Sequence, residues 1–179
     1  MSLDSRLERI LAGQPPALVD TVVATRLLMH TAALLEQHID TVLAPLGLHL
    51  REYLALHLLA DSVHEPISPS ALSVSLHATR TQVTRLLDSL ERQDLVVREA
   101  DKSDRRSLAL GLTAKGQALR QQAVALVHAA YADVWAVLGD DGTHTMQQQL
   151  RQVYEHLHST AAVPHHQTAA PRTDDPAAP

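Results

Sequence analysis

A chain of 179 residues, 45% of them hydrophobic, is long enough to bury one ordinary core and too apolar to be disordered throughout. Aromatics make up only 2% and Phe is absent, so the core must be Leu, Val and Ala, which suits helices packed on helices. The absence of Cys excludes disulfides, thiolate zinc sites, thiol nucleophiles and thiol redox sensing, and a formal net charge of −5 means that any nucleic-acid footprint must be local.

Residues 1–16 read as an amphipathic lead-in. Asp4, Arg6, Glu8 and Arg9 leave no apolar run beside a basic start, so no secretory signal is expected. No stretch approaches the roughly 20 apolar residues a membrane helix needs, and the expected location is cytoplasmic. Pro15-Pro16 suits a helix start, where a missing N–H costs nothing. A long helix is expected from about Ala17 to Leu43. At 100° per residue, Val22, Val23, Leu27 and Leu34 form one apolar stripe and Leu28, Leu35, Ile39 and Val42 another. Two stripes imply two packing partners, one of them a second chain.

Pro45-Leu46-Gly47 breaks this helix, and a second follows from about Leu50 to Ala60. Ser62–Pro66 is a loop. Ser68-Pro69 is a cap followed by proline at the first helical position, opening a short helix to about Leu76. His77-Ala78 turns the chain, and Thr79 caps the next helix, Arg80 to about Gln93. Leu95–Glu99 then reads as a strand, Ala100–Arg106 as a polar turn, and Ser107–Leu112 as the returning strand of a hairpin. Thr113 caps a long helix, about Ala114 to Leu138. Gly139–Gly142 punctuates the chain before a last helix, about Thr143 to His158. Residues 160–179, rich in Ala and Pro, read as a disordered tail.

The fold class is mainly α with a small β-hairpin wing: a winged helix-turn-helix at 49–113, with 17–48 and 114–159 as dimerisation helices. With Val83 at 0°, Leu86, Leu87 and Leu90 fall within about 60° of it, while Thr81, Arg85, Asp88 and Arg92 lie opposite. Arg80, Thr81, Thr84 and Arg85 are therefore the candidates for reaching base edges or phosphates from a recognition helix. Lys102, Arg105 and Arg106 sit at the hairpin tip, where folding needs no cations and a minor groove would favour them. Asp104 is spaced to hold Arg106 in one rotamer. The alternative is a solvated charge run, since seven basic residues face six acids between Arg80 and Arg106.

The stretch Asp104-Arg105-Arg106-Ser107-Leu108-Ala109-Leu110-Gly111-Leu112-Thr113-Ala114-Lys115-Gly116 resembles the wing signature of the MarR family of winged-helix regulators. Thr81–Glu91 is similar to that family's recognition helix. Thr25–His30, Pro69–Ser73, Thr79-Arg80-Thr81 and Ser103–Arg106 are most similar to its multidrug-efflux repressors. The resemblance covers about Ala17 to Leu157. It implies a homodimer that represses an efflux or stress operon at a pseudo-palindromic double-stranded DNA operator. It also implies release by a small aromatic or lipophilic acid, with Asp104 and Arg106 as the wing pair.

For that effector, Arg26 and His30 lie four apart on the first helix, and Tyr53 and His57 four apart on the second. A cation and imidazoles beside apolar groups suit an aromatic carboxylate. The same residues also suit a snorkelling Arg, a core His and a packed Tyr. The twelve His show no metal-ligand spacing, and no nucleophile elbow, phosphate-cradling loop or catalytic carboxylate pair is present. An enzyme, a cofactor and a metal are not expected. The rival reading is a winged-helix protein-interaction module without specific DNA binding.

Overall fold

The computed structural model describes residues 10–61, 67–100 and 108–161. The expected loop at Ser62–Pro66, the wing tip with Lys102, Asp104, Arg105 and Arg106, and most of the lead-in and tail lie outside the described residues. The chain divides into two compact units, Met1–Ala132 and Asp133–Pro179, each considered by itself.

In the first unit, α1 (Pro16–Leu43) begins with Pro at its first position and ends in a 3-10 turn, Ala44–Leu46, closed by Gly47 at φ +68°. The two stripes of α1 separate only in its C-terminal half, since Leu28 of the second stripe is exposed and Val22 and Val23 of the first are part-buried. Ile39 and Leu43 are buried, with Leu35 and Val42 packed against the core, whereas Leu27 and Leu34 stay exposed. Next comes α2 (Leu50–Asp61), whose first backbone N–H donates to Asp40 of α1 at 2.7 Å. A side chain on one helix thus caps the next, fixing the corner between them.

The following helices are α3 (Pro69–Ser75) and α4 (Arg80–Arg92). Ser68 Oγ accepts from Ala71 N–H at 3.2 Å, the expected cap on α3. His77 sits at φ +47°, and Ser73 Oγ donates to the Ala78 carbonyl across the turn. Thr79 and Gln82 form a reciprocal capping box on α4. Thr79 N–H donates to Gln82 Oε1 at 2.8 Å, and Gln82 N–H to Thr79 Oγ1 at 3.3 Å. Val83, Leu87 and Leu90 are buried in one cluster with Leu56, Leu59, Leu72 and Leu76.

The antiparallel hairpin pairs β1 (Val96–Ala100) with β2 (Leu108–Leu112) in the register Val96–Leu112 and Arg98–Leu110. Period two puts Val96, Arg98 and Leu110 on one face. Then α5 (Ala114–Trp135) starts against the end of α4. Thr113 N–H donates to the Leu95 carbonyl at 3.1 Å, Thr113 Oγ1 to that of Asp94 at 2.7 Å, and Lys115 Nζ to that of Gln93 at 2.7 Å. Thr113 Oγ1 also accepts from Gly116 N–H, the expected cap on α5.

Two expectations need correction. The long helix ends at Trp135 in a 3-10 turn, Ala136–Leu138, and α6 already begins at Gly139 (Gly139–Ala161). Gly139 takes φ +65° and so supplies the turn alone. Asp140 and Asp141 then suit the positive end of the helix, so Gly142 does not interrupt it. The expectation of no membrane-length apolar stretch also fails. Pro16–Leu46 and Ala114–Thr160 are long and apolar enough by length and composition. Scattered charges such as Asp20 and Arg26 interrupt the run without lowering its average below that of a spanning helix. A helix that packs on a second chain meets the same test.

Two substitutions probe this frame. A Cβ at Gly116 would lie 2.0 Å from the Leu95 carbonyl oxygen. Ala there gains up to about 1 kcal/mol of helix propensity. Forcing α5 off β1 costs more, so Gly116→Ala should destabilise by about 1–3 kcal/mol in urea unfolding. A more stable variant would show that α5 lifts off Leu95 freely. Thr79→Ala should cost about 1 kcal/mol and speed amide exchange at Gln82, with Thr79→Ser restoring both.

Candidate nucleic-acid interface and effector site

The capping box fixes where α4 begins, and with it the first-turn residues Arg80 and Thr81. Both are exposed, as are Thr84 and Arg85. Thr84 Oγ1 donates to the Arg80 carbonyl at 3.0 Å, so its proton is engaged and it offers outward a methyl and an acceptor lone pair. The helix is held on α2 by Val83, Leu87 and Leu90 packed with Leu56 and Leu59, and Ser89 Oγ makes a long contact of 3.5 Å to Glu52 Oε1. Glu52 also accepts from His49 N–H at 3.0 Å, capping α2.

The charge balance becomes legible once β1 is placed. Arg98, half-buried on the inner face of the hairpin, pairs with Asp88 and, through Nε at 3.4 Å, with Glu91. Two of the acids that face the basic residues of this region are thereby engaged. No ion pair among the described residues involves Arg80 or Arg85. Arg51, which sequence reading missed, comes from α2 to a cleft of about 280 Å³ that Gln82 and Arg85 also line. Its pairing with Glu36 is loose, at 3.9 Å, and half-exposed on both sides, so solvent screens it. Nothing local marks Arg51, because its neighbourhood with Arg85 exists only after α2 and α4 pack. The wing candidates Lys102, Asp104, Arg105 and Arg106 lie outside the described residues.

The four residues expected to hold an effector are brought together only in part. Tyr53 is buried and His57 exposed, with ring centroids 5.8 Å apart at a 37° tilt. Arg26 and His30 are exposed on α1, and no hydrogen bond or ion pair among the described residues joins them to Tyr53 or His57. The charged neighbour of Tyr53 is Arg120 of α5. Burial pushes the Tyr53 phenol above its usual pKa, nearby Tyr131 adds to this, and the Arg120 guanidinium opposes it. Burial likewise raises Tyr131. Both phenols therefore stay protonated at neutral pH. Sequence reading missed Arg120 and Tyr131. Their spacing of eleven residues returns to one helix face, which was a findable signal, but Tyr53 joins them only through the packing of α2 against α5.

A profile described as MarR family matches residues 46–107. The HTH-type transcriptional repressor Rv2887 of Mycobacterium tuberculosis is 34% identical over 142 residues, covering 79% of this chain and 98% of the relative. The transcriptional repressor MprA of Escherichia coli is 29% identical over 136 residues, covering 76% of this chain and 77% of MprA. Among solved structures, Rv2887 in complex with salicylic acid aligns at TM-score 0.58 and 34% identity, covering 71% of this chain and 93% of that one. CouR of Rhodococcus jostii RHA1, bound to p-coumaroyl-CoA, aligns at TM-score 0.64 and 29% identity, covering 71% and 88%. With a capped recognition helix, a two-stranded wing and a relative matched over nearly its whole length, the chain belongs to the MarR family of winged-helix transcriptional regulators.

Proposed function

We propose that this chain is a homodimeric, ligand-responsive repressor in the cytoplasm. It controls a multidrug-efflux or stress operon and releases its operator when a small aromatic or lipophilic acid binds. The observation that carries the DNA-binding part is the outer face of α4. Arg80, Thr81, Thr84 and Arg85 are exposed there on a helix whose nearby acids Asp88 and Glu91 are engaged by Arg98. That face enters a major groove, while Lys102, Arg105 and Arg106 reach the flanking backbone or minor groove, with Asp104 orienting Arg106.

The dimer is supported by apolar surface within each unit. Leu18, Leu27, Leu28, Met29 and Leu34 are exposed on α1, and Met146, Val153, Tyr154 and Leu157 on α6. Pairing these helices through a two-fold axis buries both copies and sets two recognition helices about one DNA turn apart. The effector class is supported by the salicylic acid and p-coumaroyl-CoA named in the structures of Rv2887 and CouR. Both carry an aryl group with an acyl function. Arg26, His30, Tyr53 and His57 remain the residues proposed on sequence grounds.

With an operator selected from random duplexes, Arg106→Ala should lose about 1–3 kcal/mol of DNA affinity without changing the fold, and Asp104→Ala less. Substitutions at Arg80, Thr81, Thr84 or Arg85 should change which sequence is preferred. Lys102→Ala should weaken all duplexes equally and reduce the salt slope by about one unit. Uniform effects from every substitution on operator and random DNA alike would refute the assignment of α4. Induction has its own check: salicylate can act only by preferring the arrangement that DNA disfavours. Operator should therefore weaken salicylate binding by the factor with which salicylate weakens operator binding, measured by calorimetry.

A further inference from the structure

The cleft of about 280 Å³ between α2 and α4 has a polar rim made only of hydrogen-bond donors. Arg51 comes from α2, and Gln82 and Arg85 from α4. The other lining residues, Leu76, Val83 and Leu86 among them, are apolar. Gln82 Oε1 is occupied, since it accepts from Thr79 N–H at 2.8 Å and from Thr79 Oγ1 at 3.1 Å. What the side chain has left to offer is its Nε2 amide, a donor. No ion pair among the described residues involves Arg85. Among those residues Arg51 pairs only with Glu36, at 3.9 Å, too long for a hydrogen bond, and half of its side chain faces solvent. Glu52, next in sequence, is engaged by His49 N–H at 3.0 Å and does not line the cleft. Two cations and an amide donor, with no acid beside them, favour an anion.

We propose that Arg51, with Gln82 Nε2 beside it, receives one backbone phosphate of the bound duplex, while Arg85 at the same rim enters the adjoining groove. The proposal rests on the proposed DNA-binding face of α4 and adds α2 to it. Arg85 is exposed on that face and also lines the cleft, so a duplex that meets Arg85 brings a sugar-phosphate edge over Arg51. A helix lying in a major groove has a strand's backbone on each side of it. The phosphate takes charge-assisted bonds from the guanidinium. The apolar floor of Leu76, Val83 and Leu86 suits the C–H face of the attached deoxyribose, which a free phosphate ion lacks. Glu36 is a weak resident counter-ion: its pairing is long, half-exposed and screened, so a phosphate displaces it at little cost. A contact of this kind fixes register without reading sequence, so Arg51 holds the duplex and Arg85 reads it.

The test titrates the full chain with a selected operator and with random duplex of the same length, over a range of salt concentrations. One neutralised phosphate contributes about 0.9 to the slope of log affinity against log salt. Arg51→Gln should therefore make the slope shallower by about one and weaken both duplexes about 8-fold at about 0.1 M salt. Arg51→Lys should keep the slope. Arg51→Met, which keeps the apolar stem, should match Arg51→Gln and replaces it if that variant does not fold. Arg85→Gln should instead change which duplex is preferred. Glu36→Gln separates a phosphate contact from a structural pairing, and should bind DNA at least as tightly as wild type. A loss in Glu36→Gln equal to that in Arg51→Gln would mean that Arg51 acts through α1, and would overturn the proposal. An unchanged salt slope without the Arg51 charge would also overturn it, as would a loss confined to the operator, which belongs to a base contact. If wild type binds no duplex, the DNA-binding reading falls and this contact with it. Wild-type binding beside an unchanged slope removes the contact alone.

Discussion

Everything at the DNA-facing end depends on the few ångströms where α4 ends and α5 begins. The carbonyls of Gln93, Asp94 and Leu95 each accept a bond from Lys115 Nζ, Thr113 Oγ1 and Thr113 N–H. Asp94 takes φ +58°, turning the chain so that Leu95 N–H reaches back to the Leu90 carbonyl. The last carbonyls of α4 are satisfied by its own closing turn, those just past it by the start of α5, and β1 starts from the same point. Gly116 permits this, because α5 rests on the Leu95 carbonyl where any side chain would collide. The recognition helix, the wing and α5 therefore share one mechanical origin. The first turn of α5 is bonded directly to the chain that leaves α4.

Electrostatics and apolar surface divide the remaining work. The net charge of −5 does not describe the face of α4, because Arg98 engages Asp88 and Glu91 from the hairpin. Such half-exposed pairs add little stability, but they change which charges a phosphate would meet. The long helices carry the opposite burden. The N-terminal half of α1 and the last turns of α6 expose Leu, Met, Val and Tyr that a single chain leaves uncovered. Exposed apolar residues of this kind, on each helix taken by itself, support the proposed association. It also explains why α1 passes a membrane test that its scattered charges disguise when the sequence is read residue by residue.

Short-range signals carried far in this chain. Element order, the caps at Ser68, Thr79 and Thr113, the Val83–Leu87–Leu90 stripe and the buried C-terminal end of α1 were all readable, because each depends on neighbours three or four positions away. The start of α6 was misread because Gly142 signals a break only where its backbone must leave helical geometry, and only Gly139 does so. The candidate DNA-reading residues could be named from one helical wheel. Their charge environment could not, since Arg98 meets Asp88 only when a strand folds back on a helix. The neighbourhood of Tyr53 shows the same limit. Arg26 and His30 could be paired by spacing on one helix, whereas Arg120 comes beside Tyr53 only through the packing of elements distant in sequence. Periodicity tells which face of a helix is buried. What that face meets is set by the packing of remote elements, and there only the tertiary structure decided.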